Sequence, residues 1–182
     1  MNDILYTPRS GEEMTKATHG VPVRLYSSVC QDMKEEGAVK TICRILRPYN
    51  KCLILLQNPK KMNSGHWTAI AANPRRKQLY FFSSYGGKPD EEKNRWLTED
   101  SLIASRQEVN PLNDALKEFC KCGYEIIYND FPYQREGDKT ATCGIWAAAF
   151  LNSGLNPDEF ANYTNNNGLT VFDYFDEYFK RE

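Results

Sequence analysis

Apolar residues recur along this chain in two rhythms, and the change from one to the other predicts the order of its elements. Between Val29 and Leu46 they fall at Val29, Met33, Val39, Ile42, Ile45 and Leu46. That is the three-and-four spacing of one or two amphipathic helices, interrupted near Gly37 and stopped at Pro48. Cys52-Leu53-Ile54-Leu55-Leu56 is a continuous apolar run of strand length. After a loop from Asn58 to Gly65, His66–Ala71 and Gln78–Phe82 read as second and third strands joined by the turn Asn73-Pro74-Arg75-Arg76. Residues 90–122 look helical, with Leu112, Leu116 and Phe119 on one face, and Tyr124–Tyr128 is a fourth strand. A loop from Asn129 to Thr142 leads into Cys143–Leu151, the most apolar helix, and Phe172, Phe175 and Phe179 mark a closing amphipathic helix. Residues 1–22, with Pro8, Gly11, Gly20 and Pro22, read as an irregular N-terminal arm on the surface. The pattern predicts one domain over 1–182 of the α+β class, a small, mainly antiparallel sheet packed between helices.

Composition narrows the function classes. Apolar residues make up 41% and charged residues 26%, a soluble globular balance. A net charge of -1 gives no general drive towards nucleic acid or acidic membranes. No apolar run approaches the roughly 20 residues that span a bilayer, and Met1-Asn2-Asp3-Ile4 lacks the opening of a secretory signal. The expectation is an intracellular monomer without membrane contact, whose six cysteines are free thiols. Cys30, Cys43, Cys52, Cys120, Cys122 and Cys143 contain no CxxC pair, and Cys120 and Cys122 stand too close together for a zinc knuckle, so no metal or other cofactor is expected. Two histidines, His19 and His66, remain to assist a thiol.

His66 follows a glycine-containing loop and opens a strand, so its ring can stand at the sheet edge facing a cleft; a surface histidine at a loop end is the plainer alternative. Cys143 begins the apolar helix, where the helix dipole and unpaired N–H groups favour thiolate. A neighbouring imidazole would complete an ion pair able to attack a carbonyl. A buried helix cysteine without chemistry is the competing reading. Gln134, nine residues before Cys143, could add a side-chain oxyanion donor, or simply be a solvated loop residue.

The ordered set is more specific than its members. Gly65-His66-Trp67-Thr68-Ala69-Ile70-Ala71-Ala72-Asn73-Pro74-Arg75, running on to Leu79-Tyr80-Phe81-Phe82-Ser83-Ser84-Tyr85-Gly86, then Gln134 and Cys143-Gly144, resembles the adenovirus maturation proteases and, more distantly, the SUMO and ubiquitin-like-protein proteases. The same order of His-Trp, Gln and Cys-Gly occurs in maturation proteases of virophages, Maverick-type elements and large DNA viruses. The resemblance runs from about Tyr26 to Leu151. It implies a cysteine endopeptidase in which His66 is the general base, Cys143 the nucleophile and Gln134 the oxyanion donor, with Trp67 and Gly144 lining the substrate site. It also implies cleavage after glycine or other small residues. Polypeptide substrates would be capsid or core precursors, and the enzyme would be packaged in the virion. An activating peptide or DNA is a further implication, since the adenovirus enzyme uses both. An isopeptidase removing ubiquitin-like modifiers would use the same site, and an inactive binding or scaffold protein is a third reading.

Two positions depart from the family. Where it has Asp, Glu or Asn seventeen residues after the histidine, this chain has Ser83, a hydroxyl that can orient the ring but not offset imidazolium charge. The interval from Gln134 to Cys143 is longer than usual and implies a longer loop, Arg135 to Thr142. Pro74-Arg75-Arg76-Lys77 reads as a solvated hairpin tip rather than a nucleic-acid contact. Cys120 and Cys122 read as ordinary thiols, and Trp146 with Phe172, Phe175 and Phe179 as core.

Overall fold

The computed structural model describes residues 3–57, 65–91, 93, 97–104, 111–135 and 139–180. Along the chain they form α1 (Asp3–Tyr6), α2 (Gly11–Ala17), β1 (Val23–Leu25), α3 (Tyr26–Glu36), α4 (Ala38–Ile45), β2 (Lys51–Gln57), β3 (Gly65–Asn73) and β4 (Gln78–Ser83). They continue as α5 (Glu99–Ala104), α6 (Pro111–Lys121), β5 (Glu125–Tyr128), α7 (Cys143–Ser153), α8 (Pro157–Asn166) and α9 (Val171–Tyr178). The strands lie in the order β1-β2-β3-β4-β5. The long central pairings are antiparallel, Leu53 opposite Ala69 and Thr68 opposite Ser83. The short edge strands pair in parallel, Val23 with Leu53 and Phe81 with Tyr128.

Alternation along the strands separates two cores. Cys52, Ile54, Leu56, Ile70, Leu79 and Phe81 face α3, α4 and α6. Leu53, Trp67, Ala69, Ala71, Tyr80 and Phe82 face α2, α7, α8 and α9. The sheet is therefore a middle layer between two sets of helices, an α+β fold of the expected class. Helix α7 is apolar on every side because it is enclosed: Cys143 through Leu151 are all buried. Its end is set by Gly154, whose φ of 67° is the left-handed cap that glycine supplies without strain.

Four expectations need correction. Within the expected arm 1–22, the described residues 3–22 are not an irregular surface segment: α2 carries Met14, fully buried in the α7-side core, and Ala17 beside it. A capping box holds α2, with Ser10 accepting from the Glu13 N–H and Glu13 from the Ser10 N–H. The sheet has five strands rather than four, because Val23–Leu25 adds a short edge. Helix α8 was not anticipated; it too has a capping box, Asn156 with Glu159, and Pro157 in its first turn. In α9 only Tyr174 is buried, and Val171, Phe175, Tyr178 and the capping Phe179 pack half-buried against the same core. Phe172 is out of phase with these positions and 40% exposed.

Within 90–122, α5 and α6 account for 99–104 and 111–121, whereas 92, 94–96 and 105–110 lie outside the described residues, as do 58–64 of the loop before β3 and 136–138 of the loop before α7. The basic hairpin tip is exposed, with Arg76 paired to Glu159 at 3.2 Å. No helix among the described residues is long and apolar enough to cross a membrane.

Candidate active site

Strand β3 delivers His66 one residue after its start, opposite the point where β4 gives way to a turn. The ring is fully buried. Its Nε2 lies 3.0 Å from the Ser83 hydroxyl at the end of β4, and the Tyr85 ring covers it with centroids 4.8 Å apart. Ser83 Oγ also accepts from the Tyr85 N–H at 3.3 Å. With Nε2 directed at Ser83, the solvent-shielded Nδ1 is the ring nitrogen left for the thiol.

That thiol is Cys143, at the first position of α7 and 8% exposed. Burial alone would raise it. The hydrogen bond with His66, the imidazole's charge, and the N–H groups of Trp67 and Gly144 outweigh burial and hold the thiol below its ordinary value of 9.0. The side chain of Thr142 does not cap α7, so the first N–H groups of the helix are left for an anion. At Cys30 and Cys52 the balance goes the other way: burial, joined at Cys30 by the Asp90 charge, pushes each up to about 12, outweighing the Tyr26 hydrogen bond and the Lys93 and Lys34 charges at Cys30 and the Arg24 charge at Cys52. They stay protonated at neutral pH, so their contribution to folded stability is fully present below about 9 and is lost as pH rises towards about 12. Unfolding monitored by circular dichroism between those values should show a falling midpoint that flattens in a Cys30→Ala/Cys52→Ala variant.

Gly144 lets three elements close around Cys143. A Cβ at this position would stand 3.0 Å from Met14 Sδ, 3.1 Å from Arg9 Cγ and 3.1 Å from Trp67 Cδ1. Trp67 is buried, and its Nε1–H donates to the Arg9 carbonyl at 3.0 Å. The Arg9 guanidinium donates to the Thr7 carbonyl and lies over the Phe175 ring at 5.3 Å. Leu5 of α1 accepts from the Ala141 N–H at 2.5 Å, two residues before Cys143. The N-terminal segment is thus part of the wall around the site.

Gln134 is also buried. Its Oε1 accepts from the Ser84 hydroxyl at 2.6 Å, and the Ser84 carbonyl accepts from the N–H groups of Tyr133 and Gln134 at 2.7 and 2.9 Å. The amide nitrogen Nε2 donates to the carbonyl and hydroxyl of Thr140, at 3.2 and 3.1 Å. In this arrangement Gln134 ties the turn after β4 to Thr140, three residues before Cys143. His66, Ser83, Trp67, Cys143 and Gly144 come together as one constellation, with Gln134 at its border. Sequence reasoning missed Arg9, Met14, Ser84 and Asn129. The spacing Ser10-Gly11-Glu12-Glu13 could have exposed α2 and hence Met14; no comparable signal marks Asn129.

No known protein-family profile matches the chain. It is 29% identical over 127 residues to the uncharacterized protein V9 of Sputnik virophage, 69% of each chain. Among solved structures it is similar to the SUMO protease Ulp1 with its catalytic cysteine oxidized to a sulfenic acid, at 15% identity and a TM-score of 0.39, over 79% of this chain and 63% of that one. The C-terminal Ulp1 protease domain in complex with Smt3, the yeast ortholog of SUMO, aligns at 14% identity and a TM-score of 0.34, over 88% and 63%. The Chlamydia abortus effector protein ChlaDUB aligns at 18% identity and a TM-score of 0.31, over 88% and 79%. The chain spans less than two thirds of the length of the Ulp1 structures it matches.

Proposed function

We propose that this protein is a cysteine endopeptidase, and the observation that supports it most is the Cys143 thiol joined to His66 at the start of α7, with Ser83 behind the imidazole. His66 Nδ1 takes the thiol proton, and the thiolate attacks the scissile carbonyl carbon, placing the negative charge on its oxygen. The uncapped N–H groups of α7 receive that oxyanion. Gln134 adds a donor by exchanging one of its Thr140 contacts for the oxyanion. The intermediate collapses as imidazolium gives its proton to the leaving amine. Water, deprotonated by His66, then cleaves the thioester and frees Cys143. Ser83 keeps Nε2 protonated and the ring aligned; the thiolate itself offsets the imidazolium charge, so a carboxylate is not required.

A nucleophile only 8% exposed, with Trp67 and Arg9 closing over Gly144, favours a narrow peptide, which suits cleavage after glycine or other small residues. The virophage relative supports a viral setting, with capsid or core precursor proteins as substrates and the enzyme carried in the virion. The test is mass spectrometry of products after co-expression with capsid proteins of the same genome, beside SUMO- and ubiquitin-fusion substrates. The expected result is cleavage of a capsid or core protein after a small residue, abolished by Cys143→Ala and slowed about 100-fold by Gln134→Ala. Cleavage of the modifier fusions alone would make the enzyme an isopeptidase. Cleavage retained by Cys143→Ala would show that another group is the nucleophile.

A further inference from the structure

We infer that Asn129 is a positioning residue of this site, fixing the Ser83 backbone so that the Ser83 hydroxyl stays on His66 Nε2. The inference rests on the thiol–imidazole reading above. The β4–β5 ladder runs to Phe81 and Tyr128. Just beyond it, the Asn129 side chain takes over the work of a strand. The Ser83 N–H donates to Asn129 Oδ1 at 3.0 Å, and Asn129 Nδ2 donates back to the Ser83 carbonyl at 2.6 Å. The same Nδ2 donates to the Phe131 carbonyl at 3.0 Å, so both of its hydrogens have acceptors. The main chain of Asn129 holds the far end of the same turn, its carbonyl accepting from the Gly87 N–H at 3.0 Å. Gly86, with φ 68°, lies so close that a Cβ there would meet the Asp130 carbonyl oxygen at 2.8 Å. The turn from Ser83 to Gly87 is therefore seated on residues 129–131, and Asn129 is 1% exposed at the centre of that seat.

The chemistry of Ser83 explains why such a clamp matters. A carboxylate attracts imidazolium from a range of positions, whereas a hydroxyl offers one short, directional contact and no charge. An orienting serine works only where its backbone is held, and Asn129 bonds both backbone groups of that one residue. A purely structural staple between strand ends would make the same bonds without influence on the thiol, so the test must read the thiol itself.

The experiment measures iodoacetamide alkylation of Cys143 across pH in the whole protein, by peptide mass spectrometry. It compares wild type with Asn129→Ala, Ser83→Ala, the double variant and His66→Ala. Exposed Cys43, Cys120 and Cys122 serve as internal references. Asn129→Ala is expected to slow Cys143 about fivefold at mildly acidic pH and move its profile upward, as Ser83→Ala does, leaving the reference thiols unchanged. The double variant is expected to match Ser83→Ala alone, because both act through one hydroxyl. A wild-type Cys143 profile in Asn129→Ala, or losses that multiply in the double variant, would overturn the inference. If Asn129→Ala does not fold, Asn129→Ser is measured in the same way with the same two outcomes. An unchanged Cys143 profile in His66→Ala would instead sink the thiol–imidazole reading, a separate result.

Discussion

His66→Ala is expected to lower peptide hydrolysis by about 1,000-fold while the folded protein persists. Two contributions disappear together. Cys143 loses the hydrogen bond and charge that oppose its burial, leaving only the N–H groups of Trp67 and Gly144 to favour thiolate. The leaving amine and the hydrolytic water lose their proton carrier. Removing a fully buried ring also leaves a cavity and deprives Ser83 Oγ of a partner, so some loss of stability accompanies the kinetic effect. Turnover normalised to the folded fraction by circular dichroism separates the two. A variant that keeps more than about a tenth of wild-type turnover would remove His66 from the role of base.

Met14→Ala is expected to destabilise the protein by about 3 kcal/mol, a fall in melting temperature of about 6–12 °C for a chain of this size. Met14 is 0% exposed, and its sulfur fills the space left by the absent Gly144 side chain, 3.0 Å from where a Cβ would stand. The residue therefore links α2 to the start of α7. Its removal should loosen the surroundings of Cys143 as well as the core, so turnover should fall before the melting transition begins. Thermal melts with parallel activity measurements check both. A shift of less than about 1 °C would mean that the N-terminal segment lies on the surface after all.

The central strands were legible because their apolar runs are long and each is bounded by turn residues. The positions of His66 and Cys143 were legible because one opens such a strand and the other the most apolar helix. Helices α2 and α8 were harder, because each buries few side chains and its signal lies in capping residues, Ser10 with Glu13 and Asn156 with Glu159, rather than in periodicity. In α9 the expected Phe175 and Phe179 pack on the core, but Phe172 does not, and its place in the stripe is taken by Tyr174 and Tyr178, whose rings stack on one another. The support behind the site was the least legible. The Asn129 side chain meets the Ser83 backbone across 46 residues of chain and the Ser84 hydroxyl meets the Gln134 side chain across 50, and local pattern carries no trace of such pairings.

The ionisation of Cys143 tests the account most directly. Ultraviolet titration of the thiolate, wild type minus Cys143→Ala, should show one thiol ionising below the ordinary value of 9.0, and that step should vanish in His66→Ala. A difference spectrum that stays flat until the ordinary thiol range, or one unaltered by loss of His66, would contradict the paired thiol and imidazole on which the proposed catalysis depends.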